Sequence, residues 1–220
     1  MHIGGFFRKT NLVFVEKVYE HDDIYSFRFR ATAPIKHIAG QHALFLLPGL
    51  RGGRIFSLSS SPHEEHVMFT THVRSGSRYK QRLTQLKPGD TMTMFGPVLD
   101  FIFKKEASEY VFLAQGIGIT PFRSLLLDNT AATTARRITL LHVSKEAFTF
   151  SEELTPLTDE THLVQSSGAF TATLTEVAAK QPNAHYYLSG SPHFVRSTKR
   201  LLRAHHISRR HMHSDNFFGY

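Results

Sequence analysis

The chain contains no cysteine. That absence excludes disulfides, thiolate zinc sites and any cysteine-ligated iron–sulfur cluster. Long apolar runs are missing too, and nothing approaches the ~18 residues that a membrane span needs. The opening stretch Met1-His2-Ile3-Gly4-Gly5-Phe6-Phe7-Arg8-Lys9 lacks the apolar core of a signal peptide. There are no internal repeats and no low-complexity tracts. These absences lead us to expect a soluble cytoplasmic protein. Acids are the minority charge, 18 against 26 Lys and Arg, which leaves a net charge of +8.

What is present divides unevenly. Residues 1–104 hold 14 Lys/Arg against 8 Asp/Glu, whereas residues 105–220 hold 12 against 10. A basic protein of this kind suits nucleic acid, anionic lipid, acidic proteins or phosphorylated cofactors. At 220 residues the chain is one large domain or two small ones.

The pattern of apolar residues changes half-way. Segments 11–19, 24–30, 43–47, 54–60, 66–73 and 91–95 are short, β-branched or aromatic, and separated by Gly and Pro turn signals. They predict a small antiparallel barrel, with one helix over 79–86, where Tyr79, Leu83 and Leu86 share a face. After a join near 103–108 the strand-like runs 110–114, 138–143, 162–165 and 185–188 alternate with helical stretches at 121–127, 151–157, 171–180 and 192–204. Strands alternating with helices predict a parallel, doubly wound sheet.

Two segments carry chemistry. Gly116-Ile117-Gly118-Ile119-Thr120-Pro121 follows an apolar strand and opens a helix. Its glycines permit a tight turn and close approach of a phosphate, which free N–H groups and the helix dipole then hold. Thr120 is expected to cap that helix and Pro121 to suit its first turn. A structural strand-to-helix turn is the plainer reading of this segment alone. About twenty residues on, Ser144 and Lys145 replace the acid that binds a ribose diol, which suits a 2′-phosphate. In Arg54-Ile55-Phe56-Ser57-Leu58-Ser59-Ser60, Arg54 can pair with a phosphate and Phe56, two positions on, can lie along a flat ring. A half-buried barrel strand with an exposed Arg explains the same residues. Together the two segments suggest two nucleotide cofactors held face to face. The 15 histidines include the close pairs His63/His66, His205/His206 and His211/His213, but none forms a ligand set with a carboxylate, so no metal is expected. Residues 177–214 hold seven Lys/Arg and no acid, which reads as a solvated helix face.

The order of these segments resembles the ferredoxin–NADP⁺ reductase superfamily along nearly the whole chain. Arg54-Ile55-Phe56-Ser57 is similar to the family's Arg-x-Tyr-Ser motif, with Phe for Tyr. Arg74-Ser75-Gly76-Ser77-Arg78-Tyr79-Lys80 looks like its pyrophosphate-holding loop and helix. Gly96-Pro97 resembles the next turn, with Leu99 where a glycine is usual. Gln115 to Pro121 is similar to the nicotinamide-cofactor turn. Ser189-Gly190-Ser191-Pro192 stands where Cys-Gly-Pro-Pro is common, and the acidic-x-Phe-x-Gly-Tyr ending is matched at Asp215-Asn216-Phe217-Phe218-Gly219-Tyr220.

The resemblance implies an N-terminal antiparallel Greek-key β-barrel for FAD (1–104), then a doubly wound parallel α/β domain for NADPH or NADH (105–220). Hydride would pass from the nicotinamide to the flavin, then electrons to an acceptor. It implies catalytic placement of Ser57, Thr120 and Ser189. FAD contacts are implied for Arg54, Phe56, Ser57, Ser59, Ser77, Tyr79 and Lys80, and nicotinamide-cofactor contacts for Gly116, Gly118, Thr120, Pro121, Ser144 and Lys145. Phe217 or Tyr220 would cover the flavin. Without an iron–sulfur relay, the expected partner is a separate acceptor: an acidic ferredoxin or flavodoxin, or a small molecule. A monomer is expected, with no nucleic acid. The competing class is a basic binding protein, for nucleic acid or an acidic partner, on a degenerate reductase scaffold.

Overall fold

A computed structural model describes residues 8–74, 76–98, 101–104, 107–132 and 136–217. The chain divides into two compact units. The first comprises the residues up to Ile102 together with Arg123–Asp128, and the second comprises Phe103–Phe122 and Asn129–Gly219.

The first unit is a six-stranded antiparallel sheet. Its strands are β1 (Lys9–His21), β2 (Ile24–Ala31), β3 (His42–Leu46), β4 (Arg54–Ser57), β5 (Val67–His72) and β6 (Thr91–Val98), in the order β4-β3-β6-β1-β2-β5. The period of two that predicts these strands is plainest in β6, where Met92, Met94 and Val98 are buried and Thr91, Thr93 and Phe95 are not. The inward faces meet in an aromatic core. Phe69 stacks on Phe56 at 4.4 Å with an interplanar angle of 5°, and Phe45 approaches the same ring at 4.6 Å. One helix, α1 (Arg78–Thr84), covers the core with Tyr79 and Leu83. Burial of Leu83 alone is worth ~1.5–3 kcal/mol. Arg123 belongs to this unit as well. Its guanidinium is 6% exposed and holds both Glu64 carboxylate oxygens, at 2.9 and 3.0 Å, and the Ser59 carbonyl at 2.8 Å.

The second unit is a parallel five-stranded sheet. Chain order is β7 (Glu109–Gln115), α2 (Thr120–Thr130), β8 (Arg137–Val143), α3 (Ser151–Leu154), β9 (Glu160–Val164), α4 (Ser167–Lys180), β10 (His185–Gly190), α5 (Pro192–Ala204) and β11 (Met212–Asn216). Spatial order is β11-β10-β7-β8-β9. β7 and β8 are buried almost throughout, so they read as continuous apolar runs rather than alternations. The chain leaves β7 toward β8 and β9, then returns to lay β10 and β11 on the other side. β7 and β10 therefore flank the switch point, where ligands of such sheets bind beyond the strands' carboxyl ends.

Two elements depart from expectation. β11, Met-His-Ser-Asp-Asn, has no apolar alternation, because it is an edge strand that pairs β10 alone. α4 begins at Ser167 rather than at 171; Ser166 caps it by accepting the Ala169 N–H at 3.1 Å, and the small residues of its first turn hide the helical period. Among the described residues no helix is long and apolar enough to cross a membrane.

Candidate functional site

On β4, Arg54 and Phe56 share the face turned toward α1, while Ile55 between them is 39% exposed. Phe56 is not a free ring, however. It is 7% exposed, with Phe69 stacked on it and the Lys80 Nζ 4.9 Å from its centroid. The expected contact between Phe56 and a flat cofactor ring is not offered here, because the strand directs that side chain into the core. Tyr79 is likewise engaged: its hydroxyl donates to the Phe45 carbonyl at 3.0 Å and its ring lies 5.5 Å from the Arg54 guanidinium carbon. Ser77 caps α1 by accepting the Lys80 N–H at 3.3 Å. Ser59 is fully buried and bonded to the Met68 carbonyl and the Thr70 hydroxyl. The Ser57 hydroxyl lies 3.1 Å from His42 Nε2. Ser75 and Leu99 lie outside the described residues.

Lys80 is the unusual group. Only 2% of it is exposed, and its ammonium donates to Thr71 Oγ1 at 2.5 Å. Burial, reinforced by the Arg54 charge and only partly opposed by Asp23, brings its pKa down to about 8. Two cations thus share a small apolar space, an arrangement that favours an anion.

In the second unit, residues Gly116–Ile119 form a 3₁₀ turn that runs directly into α2. Gly116 has φ +50 with open space beside its Cα, and Gly118 is pressed so closely on the Ser189 carbonyl that no side chain fits. Thr120 does not cap the helix as expected. Its backbone is already helical (φ −57, ψ −46), because the 3₁₀ turn starts the helical path four residues earlier. Its hydroxyl oxygen is buried without a hydrogen-bond partner among the described residues, and so is that of Ser189. Pro121 sits in the first turn of α2. Ser144 and Lys145 follow β8, with Lys145 exposed beside Glu146. The Phe217 N–H donates to the Gly190 carbonyl at 2.9 Å, whereas Tyr220 lies outside the described residues. Among the described residues no group of three or more His, Cys, Asp or Glu is arranged to hold a metal.

No family model matches the chain. The reductase component of phenol 2-monooxygenase from a Pseudomonas species is 34% identical over 110 residues, 49% of this chain and 31% of that protein. The carnitine monooxygenase reductase subunit of Escherichia coli is 29% identical over 152 residues, 66% of this chain and 47% of that one. This chain therefore spans less than half the length of these curated relatives. A mutant ferredoxin–NADP⁺ reductase from Plasmodium falciparum, solved in complex with 2′P-AMP, superposes with a TM-score of 0.82 at 16% identity, covering 96% of both chains. The chain has the fold of the ferredoxin–NADP⁺ reductases and is similar in part of its sequence to reductase components of oxygenases.

Within this reductase-like frame, two residues position the glycine turn without announcing it in sequence. The His142 Nε2 lies 2.9 Å from the Gly116 carbonyl, so that nitrogen carries the proton, since a carbonyl only accepts. Gln115 Oε1 accepts from the Ser191 N–H and hydroxyl. A histidine inside the apolar strand Leu140-Leu141-His142-Val143 is the available signal for the first, and Gln115 stands in the turn segment already singled out, though its bond to Ser191 is not readable there. Lys80 is expected from the resemblance as a cofactor contact, but its near-complete burial is not readable from spacing, since Arg78 two residues before it is exposed.

Proposed function

We propose that this protein is an FAD-dependent oxidoreductase that takes a hydride from NAD(P)H and passes electrons to a separate acceptor. The observation that carries the proposal is the β7/β10 switch point, which brings together an open glycine turn and two buried hydroxyls, Thr120 and Ser189, that have no hydrogen-bond partner among the described residues. Such orphaned groups cost ~1–3 kcal/mol each, and the polar edge of a nicotinamide would satisfy them. Gly116 and Gly118 would let the backbone approach its pyrophosphate, and Pro121 would start the helix there without an unsatisfied N–H. Ser144 and Lys145 would face the adenosine ribose.

The barrel residues fit an anionic flavin nucleotide. Arg54 and the buried Lys80 would neutralise its pyrophosphate, and Ser77 would hold α1 in register for it. Ser57, tied to His42, would donate at the flavin edge. Bound FAD would supply the step from two-electron hydride chemistry to electron delivery. On this reading residues 1–104 serve the flavin and 105–220 the nicotinamide cofactor. The relatives described above are reductase components, and the basic first half suits an acidic ferredoxin or flavodoxin as acceptor. Reconstitution with FAD, followed by anaerobic titration with NADPH and NADH under a spectrometer, tests the assignment. A protein that binds no flavin, or binds flavin that neither nucleotide bleaches, does not have this activity.

A further inference from the structure

Outside the switch point, the second unit contains a cleft of about 380 Å³ lined by Arg196, Lys199, Arg200 and Arg203 of α5, by Arg209, and by Met212. The four α5 residues fall at i, i+3, i+4 and i+7, one face of a helix that spans ~10 Å over this distance. A solvated stripe explains that much, since Phe194, Val195, Thr198 and Leu202 take the buried face. It does not explain Arg209. That residue comes from a separate 3₁₀ turn, Arg209–His211, folded back by His206 at φ 60 and anchored by Ile207, which is 3% exposed.

No described acid offsets this convergence. Residues 177–214 contain no Asp or Glu, and no described acid forms an ion pair with any of the five cations. Alternation along β11 turns Asp215 away from the face that carries Met212 and Ser214. Lys199 is fixed rather than free, its ammonium donating to Ser214 Oγ at 2.7 Å, and burial together with Arg203 lowers its pKa. Gathered like charges without a counter-ion among the described residues repel one another, and a bound anion removes that cost.

The shape narrows the ligand. The cleft has the volume of a small-molecule pocket, and an acidic protein would need ~800 Å² of complementary surface on its side. Guanidinium forks match phosphate oxygens in pairs, and cations spread over ~10 Å call for more than one anionic group. We propose that this cleft binds a small molecule carrying a chain of two or three phosphates, at a place distinct from the Gly116 turn.

Isothermal titration of the full chain with inorganic triphosphate, at low and at physiological salt, tests the site. Saturable one-to-one binding is expected, weakened about tenfold or more in both Arg200→Ala and Arg209→Ala, which alter different elements. Arg51→Ala, an exposed barrel cation, should leave it unchanged. Circular dichroism and thermal melts establish that the variants fold, which their exposed positions favour. Affinity unaffected by either cleft substitution would overturn the proposal, as would equal affinity for sulfate. Binding of poly-glutamate in preference to triphosphate would overturn it in favour of an acidic-protein surface.

Discussion

Gln115 Oε1 accepts two hydrogen bonds from one residue, Ser191: the backbone N–H at 3.1 Å and the hydroxyl at 2.7 Å. Ser191 is also the N-cap of α5, accepting the Phe194 N–H at 3.2 Å. The tip of β7 and the start of α5 are therefore fixed by a single amide oxygen. Gln115→Leu keeps the volume but removes the acceptor, and is expected to cost ~1–2 kcal/mol in urea unfolding. It should raise KM for the nicotinamide cofactor several-fold while flavin content stays constant. An unchanged KM would mean that the bridge only holds the helix.

Lys80 gives a pH dependence of definite sign. Its folded pKa of about 8 is below the unfolded value of 10.5, so between those limits the unfolded chain binds more protons. Stability of the flavin-free protein should therefore rise as pH climbs from 8 to 10.5, by up to ~3 kcal/mol. Lys80→Met should abolish this slope, stabilise the flavin-free protein below pH 8, and weaken FAD. Parallel slopes for the two proteins across pH 7–10 would refute it.

Arg54→Ala should weaken FAD by ~1.5–3 kcal/mol, about ten- to a hundredfold in Kd, because one charge-assisted contact to the pyrophosphate is lost. Flavin retention under limiting FAD is the measurement. Full retention would remove Arg54 from the cofactor site.

Two glycines should respond in opposite directions. At Gly118 an added methyl meets the Ser189 and Gly190 backbone, which has nowhere to move, so Gly118→Ala should lose ~1–3 kcal/mol and displace the nucleotide turn. At Gly168, within α4, the nearest atom is Ser166 Oγ at 4.0 Å, so Gly168→Ala should gain ~0.5–1 kcal/mol. Thermal melts of both variants test the contrast, which fails if they shift together.

Lys145, exposed past the end of β8, is expected to favour NADPH. An exposed cation is worth up to ~1 kcal/mol, so Lys145→Ala should reduce the NADPH/NADH ratio of kcat/KM about fivefold. An initial preference for NADH, or a ratio unmoved by the substitution, contradicts this role.

The sequence made the fold legible wherever burial imposes a period. β6 shows it at period two, and α5 shows it at helical spacing, with Pro192 marking its start. It was silent where one neighbour alone decides: β11 is a strand because β10 lends it an edge. At the candidate sites the backbone features were readable, since glycine and proline spacing constrains the chain directly. Side-chain partners were not. Phe56 faces Phe69 because the six-stranded sheet brings its two edge strands, β4 and β5, near each other although they are far apart in strand order, and Lys80 is buried against the same ring. Thr120 looks like a cap in sequence but is already helical, because a 3₁₀ start leaves no mark in residue type.

The strand order β4-β3-β6-β1-β2-β5 also governs how the chain emerges from the ribosome. β1 with β2 and β5, and β3 with β4, can each form early, and β6, at Thr91–Val98, then lies between the two pieces, pairing with both β1 and β3. Arg123, which closes over Glu64 and the Ser59 carbonyl, arrives later still. From the completion of β4 at Ser57 to the arrival of β6 at Thr91 both pieces keep an open edge, and the pairing of β6 with β1 is long-range and correspondingly slow.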